Sequence, residues 1–467
     1  MRIVAPMLAI ETVAAGGGSI CDFDGVKLAV GPESAGADPG PACYGRGGPL
    51  TVTDVNLALG RVLPSRFPFP LDVEVVQRRL EALCGRIAAA PGGVRYTPVE
   101  LAQGFVDIAN ANMVRAIRRI SVGKGYDPAD YTLVTFGGAG AQHACAMARS
   151  LGIRQILVHP LAGILSAYGM GLADVSRFAE RSVLQPLDEV TLQSTASMFE
   201  SMRSSLQADV LAEGVAVEDL KPPTYSLDLR YQGADSALNI VQPEDGDFAA
   251  AFEALHEQQY GYRHAGRGIE VVAARVAVSG SLPAALEPET TSEQRHPTPD
   301  ETTTTCFQGE SLETAVFLRE RLQPGDEIDG PAIICEPTST VVIDPGFHAT
   351  LLQRNEVLIR DQHASPSNGR PTRTHTDERA PDQIRLDIFN NLFASVAEQM
   401  GVTLQKTSIS TNVKERLDFS CAVFDPSGNL VCNAPHIPVH LGAMSETVKS
   451  VLADNPTMSR GDVFVTN

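Results

Sequence analysis

Residues 131–160 read YTLVTFGGAGAQHACAMARSLGIRQILVHP, and no other stretch restricts the fold as much. YTLVTF at 131–136 is a β-branched and aromatic run, GGAGAQH at 137–143 a glycine turn, ACAMARSLG at 144–152 a short helix, and QILVHP at 155–160 a second apolar strand. Strand, helix and strand in immediate succession describe a parallel crossover. The fold class expected is α/β.

Other segments extend this reading in both directions. The start is dense in turn formers, with AAGGGS at 14–19 and VGPESAGADPGPACYGRGGP at 30–49. PVELAQGFVDIANANMVRAIRRIS at 98–121 places Leu101, Phe105, Ile108, Met113 and Ile117 near helical spacing, with Thr97 as cap and Pro98 in the first turn. A polar helix is expected over about 187–213, strands at 224–233 and 271–280, and a Pro/Thr/Glu-rich connector from about 284 to 305. Cys306 to Ile359 carries short strands and turn signals, a small β-rich region. DQHASPSNGRPTRTHTDERAPD at 361–382 has no periodic apolar face and reads as a linker. Beyond it, Ile384, Ile388, Leu392, Val396 and Met400 mark a helix that Gly401 is expected to stop, and Asp425 to Gly428 join two strands in a hairpin. About 85 residues after the linker are few for an independent core, so the chain is expected to be cut from a longer one.

A length of 467 residues implies two to four domains. With 37 Lys and Arg against 56 Asp and Glu, the net charge of −19 repels polyanions, which argues against nucleic acid as a ligand. The longest apolar stretch, Leu161 to Ala173, is shorter than the roughly 20 residues of a membrane span. MRIVAPMLAIETV lacks the pattern of a secretory signal, and eight scattered cysteines without CxxC fit a reducing cytoplasm.

Several residues could carry chemistry. Gly137, Gly138 and Gly140 sit at a strand-to-helix turn, where backbone amides can approach a phosphate; a tight crossover turn is the alternative. Gly16, Gly17 and Gly18 follow the same logic, against a simple bend between strands. His143 could touch a nucleotide or cap a helix, and Asp54 reads as a helix N-cap or as a holder of a magnesium-bound water. In KERLDFSCA at 414–422, Glu415 and Asp418 pair carboxylates near His436 and His440, a ligand set suited to a divalent metal; an exposed cluster of Lys414, Glu415 and Arg416 is the plainer reading. His436 and His440 have the spacing of zinc-binding helices, but Pro435 and Pro438 oppose a helix there, leaving two imidazoles in a stiff loop.

VAAGGGSI, VGPESAGADPGPACYGRGGPLTVTDVNLALGR, FGGAGAQHACAMARSLG, LRYQGAD and STNVKERLDFSCAVFDPSGNLVCNAPHIPVHLGAMSETV together resemble the hydantoinase and oxoprolinase family over almost the whole chain. The order matters more than any single motif, with an A-type half fused ahead of a B-type half. The resemblance implies an actin and sugar-kinase-like A-type lobe at 1–175, its α+β and β-rich continuation at 176–360, the linker, and the start of a B-type α+β domain at 383–467. It implies ATP with Mg2+ at the glycine turns and, in the B-type half, a second divalent ion (Zn, Mn or Fe) held by Glu415 and His440. Glu415, Asp418, His436 and His440 are then the catalytic group, with His440 favoured as the one facing the reaction.

The reaction implied is ATP-coupled opening of 5-oxo-L-proline or a related cyclic amide, with hydantoin hydrolysis or ketone carboxylation as the alternatives. A homo-oligomer is implied for the full-length protein. The family's DxGGTxTD motif is absent from the sequence, as is a later histidine-containing glycine loop, so this stretch is expected to be inactive alone. A non-catalytic fragment or interaction module is the reading from another class.

Overall fold

A computed structural model describes residues 10–123, 126–234, 237–260, 262–264, 266–281, 293–362, 383–408, 410–414, 416–434, 437 and 440–466. The chain divides into two compact units, one of residues 10–168 with 287–395 and one of residues 169–286 with 396–467.

In the first unit the crossover is present as expected. Leu133–Thr135 and Gln155–Val158 pair in parallel, with Leu133 opposite Ile156 and Thr135 opposite Val158. Between them Ala144–Leu151 is helical and ends at Gly152, whose φ of 73° is the left-handed conformation glycine adopts without strain. The sheet does not stop there. Gln155–Val158 pairs antiparallel with Val357–Asp361, and the five-strand order continues through Phe347–Leu351 to Glu327–Asp329. Strands from residues 327–361 thus join residues 133–158, across the divide expected at 175. Arg149 fastens the helix to them: Nε donates to Asp361 at 3.0 Å, Nη2 to the Pro345 carbonyl at 2.8 Å, and the guanidinium lies 4.3 Å from the Phe347 ring centroid.

A second core in this unit joins the hairpin Ser19–Phe23 and Leu28–Ser34 to the helices Val52–Ala58, Val73–Ala89 and Pro98–Gly123. The last of these starts with a capping box, Thr97 N–H donating to Glu100 at 2.8 Å and Glu100 N–H to Thr97 Oγ1 at 3.2 Å. It serves both cores. Leu101, Phe105 and Ile108 are buried with Leu80 and Ile87, whereas Val114 and Ile117 pack with the crossover helix and the five-stranded sheet. A separate four-stranded sheet runs in the order Thr340–Ile343, Ala332–Cys335, Glu310–Leu318, Glu301–Phe307.

The second unit contains an antiparallel sheet ordered Val175–Pro186, Ile269–Gly280, Thr224–Tyr231, Leu238–Val241. The helix Glu189–Ala212, capped by Asp188, lays Phe199, Met202, Leu206 and Val210 on it, and Phe248–Tyr260 adds Phe248 and Phe252. A smaller core of Ala397, Phe419, Cys421, Cys432 and Ala434 follows, with the expected hairpin Ala422–Phe424 and Leu430–Asn433 and the helix Leu441–Asp454. Gly401 does not stop the preceding helix, which runs Gln383–Thr407. A mid-helix glycine costs only about 1 kcal/mol, and the helix formers Leu404, Gln405 and Lys406 after it supply turns that a terminal Gly lacks. Among the described residues no helix is long and apolar enough to cross a membrane.

Candidate functional site

The two glycine turns meet. A methyl group built on Gly17 would lie in van der Waals contact with the Ala139 Cβ, at 3.6 Å, and only 2.8 Å from Thr53 Oγ1, so the first turn lies beside the second and is kept bare by Thr53. Thr53 fixes that turn through its N–H (2.9 Å) and hydroxyl (3.0 Å), both donated to the Gly17 carbonyl, while Ala35 N–H holds the Gly18 carbonyl at 2.8 Å. The second turn is fixed by Gly137 N–H donating to the Ala162 carbonyl at 2.7 Å and by Thr340 N–H donating to the Gly138 carbonyl at 3.3 Å. With these carbonyls occupied, the N–H groups of Gly16, Gly17, Gly18 and Gly138 have no acceptor among the described residues. Such a set of unpaired amides at converging turns suits an anion.

Behind the turns lies a buried polar network. His143 is 3% exposed, with Nδ1 2.7 Å from Asn110 Oδ1 and Nε2 3.3 Å from Asn56 Nδ2. Asn110 Oδ1 can only accept, so Nδ1 carries the proton and Nε2 accepts from Asn56. Burial, with the nearby Arg61 charge, pushes the imidazole pKa down to about 3. His143 is therefore neutral. It occupies the N-cap position of the crossover helix, yet its side chain does not cap; it ties the helix to its neighbours instead. Asp54 is the third residue of its helix rather than the N-cap, which is Thr51. Its carboxylate accepts from the N–H groups of Ala42 (3.0 Å), Cys43 (2.8 Å) and Thr51 (2.7 Å) and from the Thr51 hydroxyl (2.9 Å). Fully engaged and fully buried, it does not fit the holder of a magnesium-bound water.

In the second unit, Glu415, Pro435, His436 and Pro438 lie outside the described residues. Asp418 is exposed, its N–H bonded to the Asn412 carbonyl at 3.0 Å. His440 is the N-cap of Leu441–Asp454, so the helix begins beyond it. Its Nδ1 lies 3.0 Å from Ser420 Oγ, which also lies 3.3 Å from the Ile437 carbonyl. The hydroxyl proton can go to either acceptor, so His440 Nδ1 either accepts from Ser420 or donates to it, and the second arrangement leaves Nε2 with its lone pair. Among the described residues, no three His, Cys, Asp or Glu side chains converge to hold a metal ion. Lys414 corrects the exposed-cluster reading: it is 2% exposed, its ammonium enclosed by aromatic rings, and burial brings its pKa down to about 8.

Three family models divide the chain among them: Hydantoinase/oxoprolinase over residues 1–178, Hydantoinase/oxoprolinase C-terminal domain over 191–359, and Hydantoinase B/oxoprolinase over 382–467. The chain belongs to the hydantoinase/oxoprolinase family. Within it, the chain is 43% identical to 5-oxoprolinase 1 of Arabidopsis thaliana over 495 residues, all of this chain and 38% of that protein. The chain thus spans under two-fifths of the length of that relative. The crystal structure of ATP-dependent caprolactamase from Pseudomonas jessenii matches with a TM-score of 0.67 and 29% identity, over 78% of this chain and 54% of that one. Nucleotide-free acetone carboxylase shares the fold, with a TM-score of 0.59 at 22% identity over 74% of this chain and 52% of that one.

For this hydantoinase/oxoprolinase chain the sequence reading missed two contributors to the glycine turns. Gly163 lets Thr338 approach so closely that a methyl there would sit 2.2 Å from Thr338 Oγ1, and the Thr338 carbonyl lies 3.2 Å from the corresponding position on Gly138. Gly163, in LAGI right after the second strand, was a readable signal; Thr338 was not, because its place depends on pairing between segments almost 200 residues apart.

Proposed function

We propose that this chain works within an ATP-dependent cyclic-amide hydrolase that opens 5-oxo-L-proline to L-glutamate. The observation that carries the reading is the meeting of the Gly16–Gly18 and Gly137–Gly140 turns, whose unpaired amides fit the phosphates of a nucleotide. The similarity to 5-oxoprolinase 1 supplies the substrate.

ATP is the right partner for this chemistry. A five-membered lactam resists hydrolysis because nitrogen donates into its carbonyl. Transfer of the γ-phosphoryl group to the amide oxygen releases ADP and turns that oxygen into a leaving group. Water then adds to the carbon, the ring nitrogen takes up a proton and leaves as the amine, and a second water hydrolyses the resulting acyl phosphate to the carboxylate and free phosphate. The glycine turns would orient the phosphates, with Mg2+ accompanying the nucleotide. In the B-type half, His440, in the tautomer that places its Nδ1 hydrogen on Ser420, would take the proton of the attacking water at Nε2. Asp418, Glu415 and His436 remain proposed members of that group; where Nε2 of His440 binds a divalent ion with Glu415 instead of a proton, the base falls to another member of the group. A cytoplasmic homo-oligomer completes the proposal, its location in keeping with eight cysteines scattered without CxxC spacing.

A second reading, another lactam or a hydantoin as substrate, is favoured by the structural likeness to caprolactamase. Assaying the full-length gene product separates the two. 5-Oxoproline-dependent release of ADP and glutamate is expected, and turnover only with N-methylhydantoin or caprolactam would overturn the first reading. In the same assay Gly17→Ala, which pushes the Thr53 hydroxyl off the turn it fixes, should raise the KM for ATP on the order of tenfold or more.

A further inference from the structure

Lys414 is a lysine in a place lysines rarely occupy. Its Nζ donates to the Tyr260 carbonyl at 2.7 Å and stands 3.3 Å from the centroid of the Tyr262 ring. Tyr231, Phe252 and His256 complete the wall of a cavity of about 10 Å³, the room of one water. The rings brace one another: Tyr231 is edge-on to Phe252 and to His256, each at 4.9 Å, and His256 edge-on to Tyr262 at 5.0 Å. His256 Nδ1 lies 3.0 Å from the Tyr262 carbonyl, and the Tyr231 hydroxyl accepts from His264 N–H at 3.2 Å. The cage is therefore built by residues 231–264, and its occupant comes from 154 positions beyond Tyr260. Ring faces carry partial negative charge, which suits the compact ammonium lying against them with only a water-sized void left beside it.

The segment bearing Lys414 is held from the other side as well. Val413, next to it, packs on the small core of Phe419, Cys421 and Cys432, and Gln405 Nε2 donates to the Lys414 carbonyl at 2.8 Å. Between these anchors Leu417 has a φ of 53°, a conformation a leucine keeps only where its flanks are fixed.

We propose that the cage is an intramolecular docking site for the Lys414 ammonium, which seats residues 411–420 on the sheet of residues 175–280 and so positions Asp418 and the Ser420–His440 pair. Lys414 acts as a positioning residue, and the assignment is independent of which lactam is opened.

The test uses the full-length protein. In wild type, acetic anhydride should modify Lys414 at least tenfold more slowly than the half-exposed Lys449. Lys414→Met and Tyr262→Leu should each raise amide exchange at Asp418–Cys421 on the order of tenfold, leaving Val271–Val278 unchanged, and the double variant should add nothing to either. Equal modification of Lys414 and Lys449 would overturn the proposal, as would additive effects or exchange rising evenly through the sheet. Should the variants not fold, the wild-type modification rates decide alone.

Discussion

At the scale of single residues, His143 shows how burial and tautomer turn a titratable group into a fixed joint. Its folded pKa near 3 lies below the ordinary value of 6.5, so between those limits the unfolded chain binds a proton that the folded chain refuses. Stability conferred by neutral His143 is complete above about pH 6.5 and falls as the pH drops toward 3, at up to about 1.4 kcal/mol per pH unit. Urea unfolding from pH 7 to 4 should show that slope, and His143→Gln, though less stable at pH 7, should flatten it. Identities alone cannot give this: from sequence His143 reads as a nucleotide contact or, slightly favoured, as a helix cap, because Asn56 and Asn110 lie 87 and 33 positions away. The glycines were easier, since a run of three can do little but turn.

At the scale of elements, periodicity and punctuation were enough where neighbours in sequence are neighbours in space. The crossover, the long helix from Pro98 and the Asp425 hairpin follow from such local signals. Val175–Pro186 did not, because its strand is set by pairing with Ile269–Gly280, almost a hundred residues on. Gly401 taken alone reads as a stop, whereas the helix formers after it carry the helix on to Thr407. Gly85 offers a cleaner glycine: it is exposed inside Val73–Ala89, and a methyl there would meet nothing within 4 Å. Gly85→Ala should stabilise the first unit by about 1 kcal/mol, read as a higher urea midpoint with an unchanged slope.

At the scale of the molecule, distant segments close the sheets. Arg149 is the visible joint, bridging the crossover helix to Asp361 and Pro345. Arg149→Ala leaves the Asp361 carboxylate, 8% exposed, without its cation, and should cost about 2–3 kcal/mol by denaturant unfolding. A loss under 0.5 kcal/mol would mean that the strand pairing of Ile156 with Ile359 holds the joint unaided.

The helix Pro98–Gly123 has 26 residues, about 39 Å of rod, and both cores of the first unit are bolted to it. One glycine turn grows from each core, through Ala15 on one side and Ala141 on the other. The rod thus works as a caliper whose jaws are the two turns. Under the proposed nucleotide reading, inserting a helical turn between Ile108 and Val114, which pack in different cores, should change the spacing of the turns without altering a single glycine.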